Sequence, residues 1–87
     1  MLNRKVYVKN STGLHVRPTG MLCKKAAEYE SKIYFTVRNN TANAKSVLSV
    51  LGACVRCGDE LEFTIEGKDE HEAMDEIVKL FDEGFGE

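Results

Sequence analysis

The residues best suited to chemistry stand together in Thr12-Gly13-Leu14-His15-Val16-Arg17-Pro18-Thr19. Gly13 frees the backbone ahead of a helix and Pro18 fixes that helix's first turn. His15 therefore falls at or next to the N-cap, beside amide N–H groups that the opening turn leaves without intrahelical partners. Those amides and the positive end of the helix dipole make an anion site with an imidazole inside it. The same field keeps the ring neutral and nucleophilic and favours a dianionic phosphoryl group once one is attached. Arg17 offers a fork of donors to the same oxygens. A group that accepts a phosphoryl and then surrenders it must be exposed, uncharged beforehand, and cradled by donors that do not bind too tightly. Histidine suits this better than serine, because a phosphoserine ester holds its cargo whereas the imidazole of a phosphoramidate is a good leaving group. A lone loop histidine is ordinarily a solvated side chain; Gly13, Arg17 and Pro18 in these relative positions argue for chemistry.

Ser46 is a second candidate, directly before the apolar stretch Val47-Leu48-Ser49-Val50-Leu51. Its ordinary role is an N-cap worth about 1 kcal/mol to a short helix. Phosphorylation there would add roughly two negative charges at a helix start, within an otherwise basic part of the chain. Cys54-Val55-Arg56-Cys57 is a lone CxxC, which reads as two small residues in a helix-to-strand loop in preference to a redox or metal site. Four metal ligands are hard to assemble when His15 and Cys23 lie in a distant part of the chain, so no metal is expected. His71 reads as a solvated residue in the opening turn of the last helix.

The elements that must position these residues follow from periodicity. Residues 2–8 alternate as a half-buried strand, and Asn10-Ser11-Thr12-Gly13 is turn chemistry. Met21, Leu22, Ala26 and Tyr29 recur at helical spacing, predicting a helix over about 16–28. Residues 32–38 alternate again, and Asn39-Asn40 suits the positive φ angles of a tight hairpin into residues 41–44. A short helix follows with Ser46 as N-cap and Gly52 at its end. Leu61, Phe63 and Ile65 alternate with acidic residues in a fourth strand. The last helix is predicted with Asp69 as N-cap, Glu72 completing a capping box, and Gly84 as stop. The order is βαββαβα, and each strand has only one apolar face to bury, so the helices belong on one face of an antiparallel sheet.

The chain has 87 residues, enough for one small domain over residues 1–87 that folds without disulfides or metals. It contains no apolar run near the length of a membrane span and no export signal at its start, and its three cysteines are an odd count. These features place it as a cytoplasmic protein with reduced thiols and no membrane insertion. The net charge of −2 hides a division: residues 1–58 carry ten Lys or Arg against two Glu, and residues 59–87 carry twelve Asp or Glu against two Lys. The first part can present a basic face to an acidic or phosphorylated partner, and the acidic third repels nucleic acid.

With these residues in place, the whole chain resembles the HPr family, the histidine-containing phosphocarriers of the bacterial phosphoenolpyruvate:sugar phosphotransferase system. The resemblance rests on Thr12-Gly13-Leu14-His15-x-Arg17-Pro18, on Asn43-Ala44-Lys45-Ser46 before the short helix, on Gly58-Asp59-Glu60 before the fourth strand, and on the acidic final helix. It implies an open-faced β-sandwich, a four-stranded antiparallel sheet with three helices on one side. It implies that His15 takes phosphate on Nδ1 from Enzyme I and passes it to the A domain of a sugar permease while Arg17 steadies the phosphoryl group. It implies a protein substrate of enzymes rather than a turnover enzyme, acting as a monomer without a cofactor. By the same resemblance Ser46 is the target of a kinase/phosphorylase, and its phosphorylated form binds a catabolite control protein. Gly20, Val47, Leu48 and Leu51 match an apolar docking patch, which Lys24 and Lys45 are expected to rim and to steer acidic partners toward. On a helix of two turns, Val47, Leu48 and Leu51 cannot all face inward.

The chain also departs from the family pattern. Alanine is common where Val16 and Thr19 stand, and glycine where Ser49 and Cys54 stand. Val16 adjoins the imidazole, so its effect is expected on transfer rate and partner choice. Because His15 is present, the chain differs from the regulatory paralogue Crh, which has glutamine there; a mainly regulatory protein that keeps the histidine is the alternative reading.

Overall fold

A computed structural model describes all 87 residues, Met1–Glu87. Strand β1 spans Leu2–Tyr7, helix α1 Val16–Ala27, β2 Lys32–Val37, β3 Asn40–Asn43, α2 Val47–Gly52, β4 Glu60–Glu66 and α3 Glu70–Asp82, with a 3-10 turn at Gly84–Gly86. The four strands form one antiparallel sheet in the order β1-β4-β2-β3. Sequence alternation becomes a two-faced sheet: Val6, Ile33, Phe35, Val37, Ala42, Leu61, Phe63 and Ile65 are buried, while Tyr7, Tyr34, Thr36, Glu60, Glu62 and Glu66 on the other parity are exposed. The buried face meets Leu22 and Ala26 of α1, Val50 of α2, and Ala73, Met74, Ile77 and Phe81 of α3 in one hydrophobic cluster. Full burial of each large side chain stabilises by about 1.5–3 kcal/mol, which is the force that holds the helices to the sheet. This is the open-faced sandwich expected from the sequence.

Two local predictions differ. The positive-φ pair of the β2–β3 hairpin is Arg38 (φ 46°) and Asn39 (φ 68°), one residue earlier than Asn39-Asn40. The register gives the reason: pairing Val37 with Asn40 sets Phe35 opposite Ala42, so Ala42 faces the core, and a one-residue slip would turn it outward. Arg38 is held in this conformation by its guanidinium, which binds the Asp59 carboxylate and donates to the carbonyls of Ala53 and Cys54 at 3.0 and 2.8 Å.

The predicted capping box of α3 does not form. Asp69 is the N-cap residue but makes no side-chain cap bond. Its carboxylate reaches across to accept from the amides of Glu30 and Ser31, at 2.9 and 3.0 Å, and from the Ser31 hydroxyl. Three donors at the end of α1 outbid one amide at the start of α3, so Asp69 ties the two helices together. The Ser31 hydroxyl and these amides hold the Asp69 carboxyl below the usual aspartate range.

The charge division along the chain is partly consumed by folding. β1 lies against β4, and Lys5 pairs with Glu60 at 3.7 Å; Lys25 pairs with Glu28 and Glu76, and Arg38 with Asp59. Basic and acidic segments are thus brought together as neighbours across elements. No helix is long and apolar enough to cross a membrane.

Candidate functional site

The loop between β1 and α1 is fastened at several residues. Asn10, buried, donates from Nδ2 to the Gly13 carbonyl at 2.7 Å and accepts the Gly13 amide on its own carbonyl at 3.1 Å. Gly13 has φ +63°, and a side chain there would collide with the Val55 carbonyl and come within 2.9 Å of the Arg56 Cα. Only glycine permits this approach, which lets the Leu14 amide donate to the Val55 carbonyl at 3.1 Å. Thr19 is fully buried and its hydroxyl donates to the Leu14 carbonyl at 2.9 Å. This gives a physical purpose to one departure from the family pattern, since alanine at 19 would lack that bond. His15 therefore leaves a rigid loop.

His15 is the N-cap of α1, with extended backbone (φ −82°, ψ −162°) and no side-chain cap bond. Its side chain is 46% exposed and so reachable from solvent. The first α1 bond is from the Thr19 amide to the His15 carbonyl at 2.9 Å, Pro18 has no N–H, and the amides of Val16 and Arg17 have no partner within the chain. These are the free donors that the spacing predicted beside the imidazole. Val16 is 75% exposed at the rim, a larger neighbour than alanine would be.

The Arg17 guanidinium is engaged within the chain. Both terminal nitrogens donate to the Phe85 carbonyl, at 3.1 and 2.8 Å, and Nε lies 4.0 Å from a Glu87 oxygen. The guanidinium is parked on the 3-10 turn.

Sequence reasoning did not find the residue that completes the site, Glu87. Its Oε1 accepts from the Thr12 hydroxyl at 2.6 Å and from Asn10 Nδ2 at 3.3 Å, and its Oε2 lies 3.5 Å from His15 Nε2. The Thr12 hydroxyl, joined by Asn10, His15 and Arg17, holds the Glu87 carboxyl below the usual carboxylate range. No local signal marks this carboxylate, which meets the loop across 72 or more residues of chain, although Thr12, His15 and Arg17 beside it belong to the motif.

Ser46 caps α2: its Oγ accepts the Ser49 amide at 3.2 Å, and the residue is half-buried. Ser49, where glycine is common, uses its hydroxyl to accept the Asn43 amide at 2.8 Å, closing the end of β3 onto α2. Val47 and Leu48 are exposed, Leu48 at 83%, Leu51 is half-buried, and Val50 alone points fully into the core. Gly20 is exposed with nothing within 4 Å of where a side chain would begin, leaving a bare place on α1. Lys24 is exposed on the same helix. Lys45 is half-buried, and its ammonium donates to the Tyr29 carbonyl at 2.6 Å, satisfying a group just past the end of α1.

The cysteines divide. Cys23 is buried, and burial pushes its thiol up, which leaves it protonated filler in α1. Cys54 and Cys57 are exposed and free. Cys54 has φ +52° just past the end of α2, the left-handed position for which glycine is the common choice.

With the geometry in view, comparison with known proteins is informative. The family model described as "PTS HPr component phosphorylation site" matches residues 2–83. The chain is 37% identical to a phosphocarrier protein HPr of Treponema pallidum over 87 residues, covering 100% of this chain and 99% of that protein. The structure of HPr-C-His from Thermoanaerobacter tengcongensis superimposes with a TM-score of 0.97 at 34% identity, covering 100% of this chain and 98% of that one. The Bacillus subtilis catabolite repression protein Crh, described as a swapped dimer, superimposes with a TM-score of 0.76 at 28% identity over 97% of each chain. An exposed histidine at a helix start, on a sheet of this order and in a chain this similar over its full length, makes the protein a member of the HPr family of histidine-containing phosphocarriers.

Proposed function

We propose that His15 attacks the phosphoryl group of phospho-Enzyme I through Nδ1 and passes it to the A domain of a sugar permease in the phosphotransferase system. The N–P bond forms as the donor's bond to phosphorus breaks, and the second transfer reverses the roles. The observation that carries this reading is the exposed His15 ring beside the unpartnered amides of Val16 and Arg17. Those amides offer donors to a phosphoryl dianion without enclosing it, so that binding does not become a trap. Arg17 supplies further donors once released from Phe85. Gly20, Lys24, Val47, Leu48 and Leu51 form the surface on which Enzyme I and the permease domain dock. The protein works as a cytoplasmic monomer, a carrier consumed and regenerated by its partners. Purified Enzyme I and phosphoenolpyruvate are expected to label the chain with acid-labile, base-stable phosphate, and His15→Ala is expected to abolish the label; a label that survives in His15→Ala would move the site elsewhere.

A second reading is favoured by the likeness to Crh and by the half-buried Ser46 hydroxyl at the start of α2. Here phosphorylation of Ser46 by a kinase/phosphorylase governs binding to a catabolite control protein, and the histidine is secondary. Kinase labelling at Ser46 and partner binding that both persist in His15→Ala, in cells that still transport sugar, would favour it. Labelling of His15 with no effect of Ser46→Ala on catabolite repression would remove it.

A further inference from the structure

We propose that Arg56 helps select the proteins that exchange phosphate with His15: its unpaired guanidinium, carried on the segment against which the His15 loop packs, meets an acidic side chain of the docking partner. The inference rests on the carrier reading above and adds to it a residue outside both the helix-start motif and the apolar docking surface.

Backbone contacts put Arg56 beside the site. A side chain at Gly13 would stand 2.9 Å from the Arg56 Cα, and the Leu14 amide donates to the Val55 carbonyl at 3.1 Å. Residue 13 is two positions from His15, a separation of at most about 7 Å along the chain. Val55 is buried and Arg56 is exposed, so the segment turns its apolar residue inward and its cation to solvent. The Arg56 backbone is held as well: its amide donates to an Asp59 carboxylate oxygen at 2.8 Å, and its carbonyl accepts the Asp59 amide at 3.0 Å. A fixed backbone leaves the guanidinium only its own side-chain torsions to search, which lowers the cost of ordering it in an ion pair.

Other cations around the loop are already engaged. Arg17 rests on the Phe85 carbonyl, and the Lys9 ammonium donates to the Asp82 carbonyl at 3.3 Å. Asp59, whose carboxylate binds the Arg56 amide, is taken on its charged side by the Arg38 guanidinium, which also donates to the carbonyls of Ala53 and Cys54. Arg38 thus occupies the carboxylate that would otherwise neutralise Arg56, and the Arg56 guanidinium makes no hydrogen bond or ion pair within the chain. An exposed cation without an internal partner attracts an acidic surface and repels a basic one, and such charges act on association and on the choice of partner. Arg56 therefore bears on docking, and the chemistry at His15 proceeds without it.

The test is steady-state transfer from phospho-Enzyme I to the wild-type chain and to Arg56→Ala, Arg56→Glu, Arg56→Lys and Lys68→Ala, each confirmed as folded by its backbone spectrum. Arg56 precedes β4 and Lys68 follows it, so Lys68, also exposed, controls for the loss of one charge at the other end of the strand. Arg56→Ala is expected to raise the KM for the chain about threefold, the size of an exposed charge contact, and Arg56→Glu about tenfold, with kcat near wild type. Arg56→Lys and Lys68→Ala should stay near wild type. In roughly 1 M salt, where screening acts within about 3 Å, the Arg56 variants should converge on wild type. Calorimetric binding to Enzyme I without phosphoenolpyruvate should rank the variants in the same order. An unchanged KM and affinity in Arg56→Ala, an equal loss in Lys68→Ala, or a defect that survives high salt overturns the proposal. A wild-type chain that binds Enzyme I more tightly than Arg56→Ala yet takes no phosphate defeats the carrier reading and supports the Arg56 contact; a wild-type chain that does not bind Enzyme I defeats both.

Discussion

The starts of α1 and α2 are built in opposite ways. At α2 the N-cap serine spends its hydroxyl on the Ser49 amide, and the Ser49 hydroxyl in turn fastens the Asn43 amide. At α1 the N-cap histidine gives nothing to the helix, proline removes one donor outright, and the amides of Val16 and Arg17 stay empty. The first arrangement stabilises the helix. The second forgoes about 1 kcal/mol of capping and keeps a charged vacancy beside an imidazole. α3 is a third solution, in which the N-cap aspartate turns away to bind the residues after α1. An uncapped helix start in a small protein is therefore informative only when its empty amides are exposed and a nucleophile stands beside them.

The strongest way to break the contrast is to remove the close approach that holds the α1 loop. Gly13→Ala forces a side chain into the Val55 carbonyl at a left-handed φ, and is expected to cost about 2 kcal/mol or more, read as a lower urea midpoint. Next in size is Ser46→Ala, which should lose about 1 kcal/mol, while Ser46→Asp, which can still accept the Ser49 amide, should stay near wild type. A converse experiment gives α1 what α2 has: His15→Ser supplies a hydroxyl to the Arg17 amide, and thermal unfolding should show a gain of about 0.5 kcal/mol together with complete loss of phosphate acceptance. A destabilised His15→Ser would mean that the histidine itself supports the helix start.

The smallest effect is the pH response of the α3 arrangement. The Asp69 carboxyl is depressed in the folded protein by the Ser31 hydroxyl and the Glu30 and Ser31 amides. A depressed folded value means that its contribution is complete above the ordinary aspartate range and is lost as pH falls through the folded value. Urea midpoints measured downward from pH 6 should therefore decline on the acid side, and Asp69→Asn should flatten that decline. An acid limb of unchanged steepness in Asp69→Asn would show that other carboxylates carry it.

Much of this was legible in the sequence, for identifiable reasons. The strands announced themselves because one face of the sheet is apolar and the other is not, and α1 because Gly13 and Pro18 bracket its start. The shortness of α2 required that Val47, Leu48 and Leu51 not all face inward, and the structure shows Val47 and Leu48 as the exposed ones. What could not be read depended on partners remote in the chain. Asp69 looked like a cap because its competitors, Glu30 and Ser31, stand 39 and 38 residues away. The hairpin turn was misplaced by one residue because the register is decided by Ala42 facing the core. Arg17 and Glu87 were missed as a pair with the loop because no spacing rule connects residue 17 to residue 85, or residue 12 to residue 87.

The backbone carbonyl that holds Arg17 belongs to Phe85, whose own ring is buried edge-on against Phe81, which meets Phe63, which meets Phe35, with centroids 4.9, 5.5 and 5.3 Å apart. These buried rings run in an unbroken row from the middle of the sheet to the 3-10 turn, and the residue that carries the last of them supplies the carbonyl on which a guanidinium rests. The row fixes the place of the Phe85 backbone, and with it the carbonyl on which both terminal nitrogens of Arg17 rest. Packing at the centre of the core is in this way continuous with the turn that receives the guanidinium.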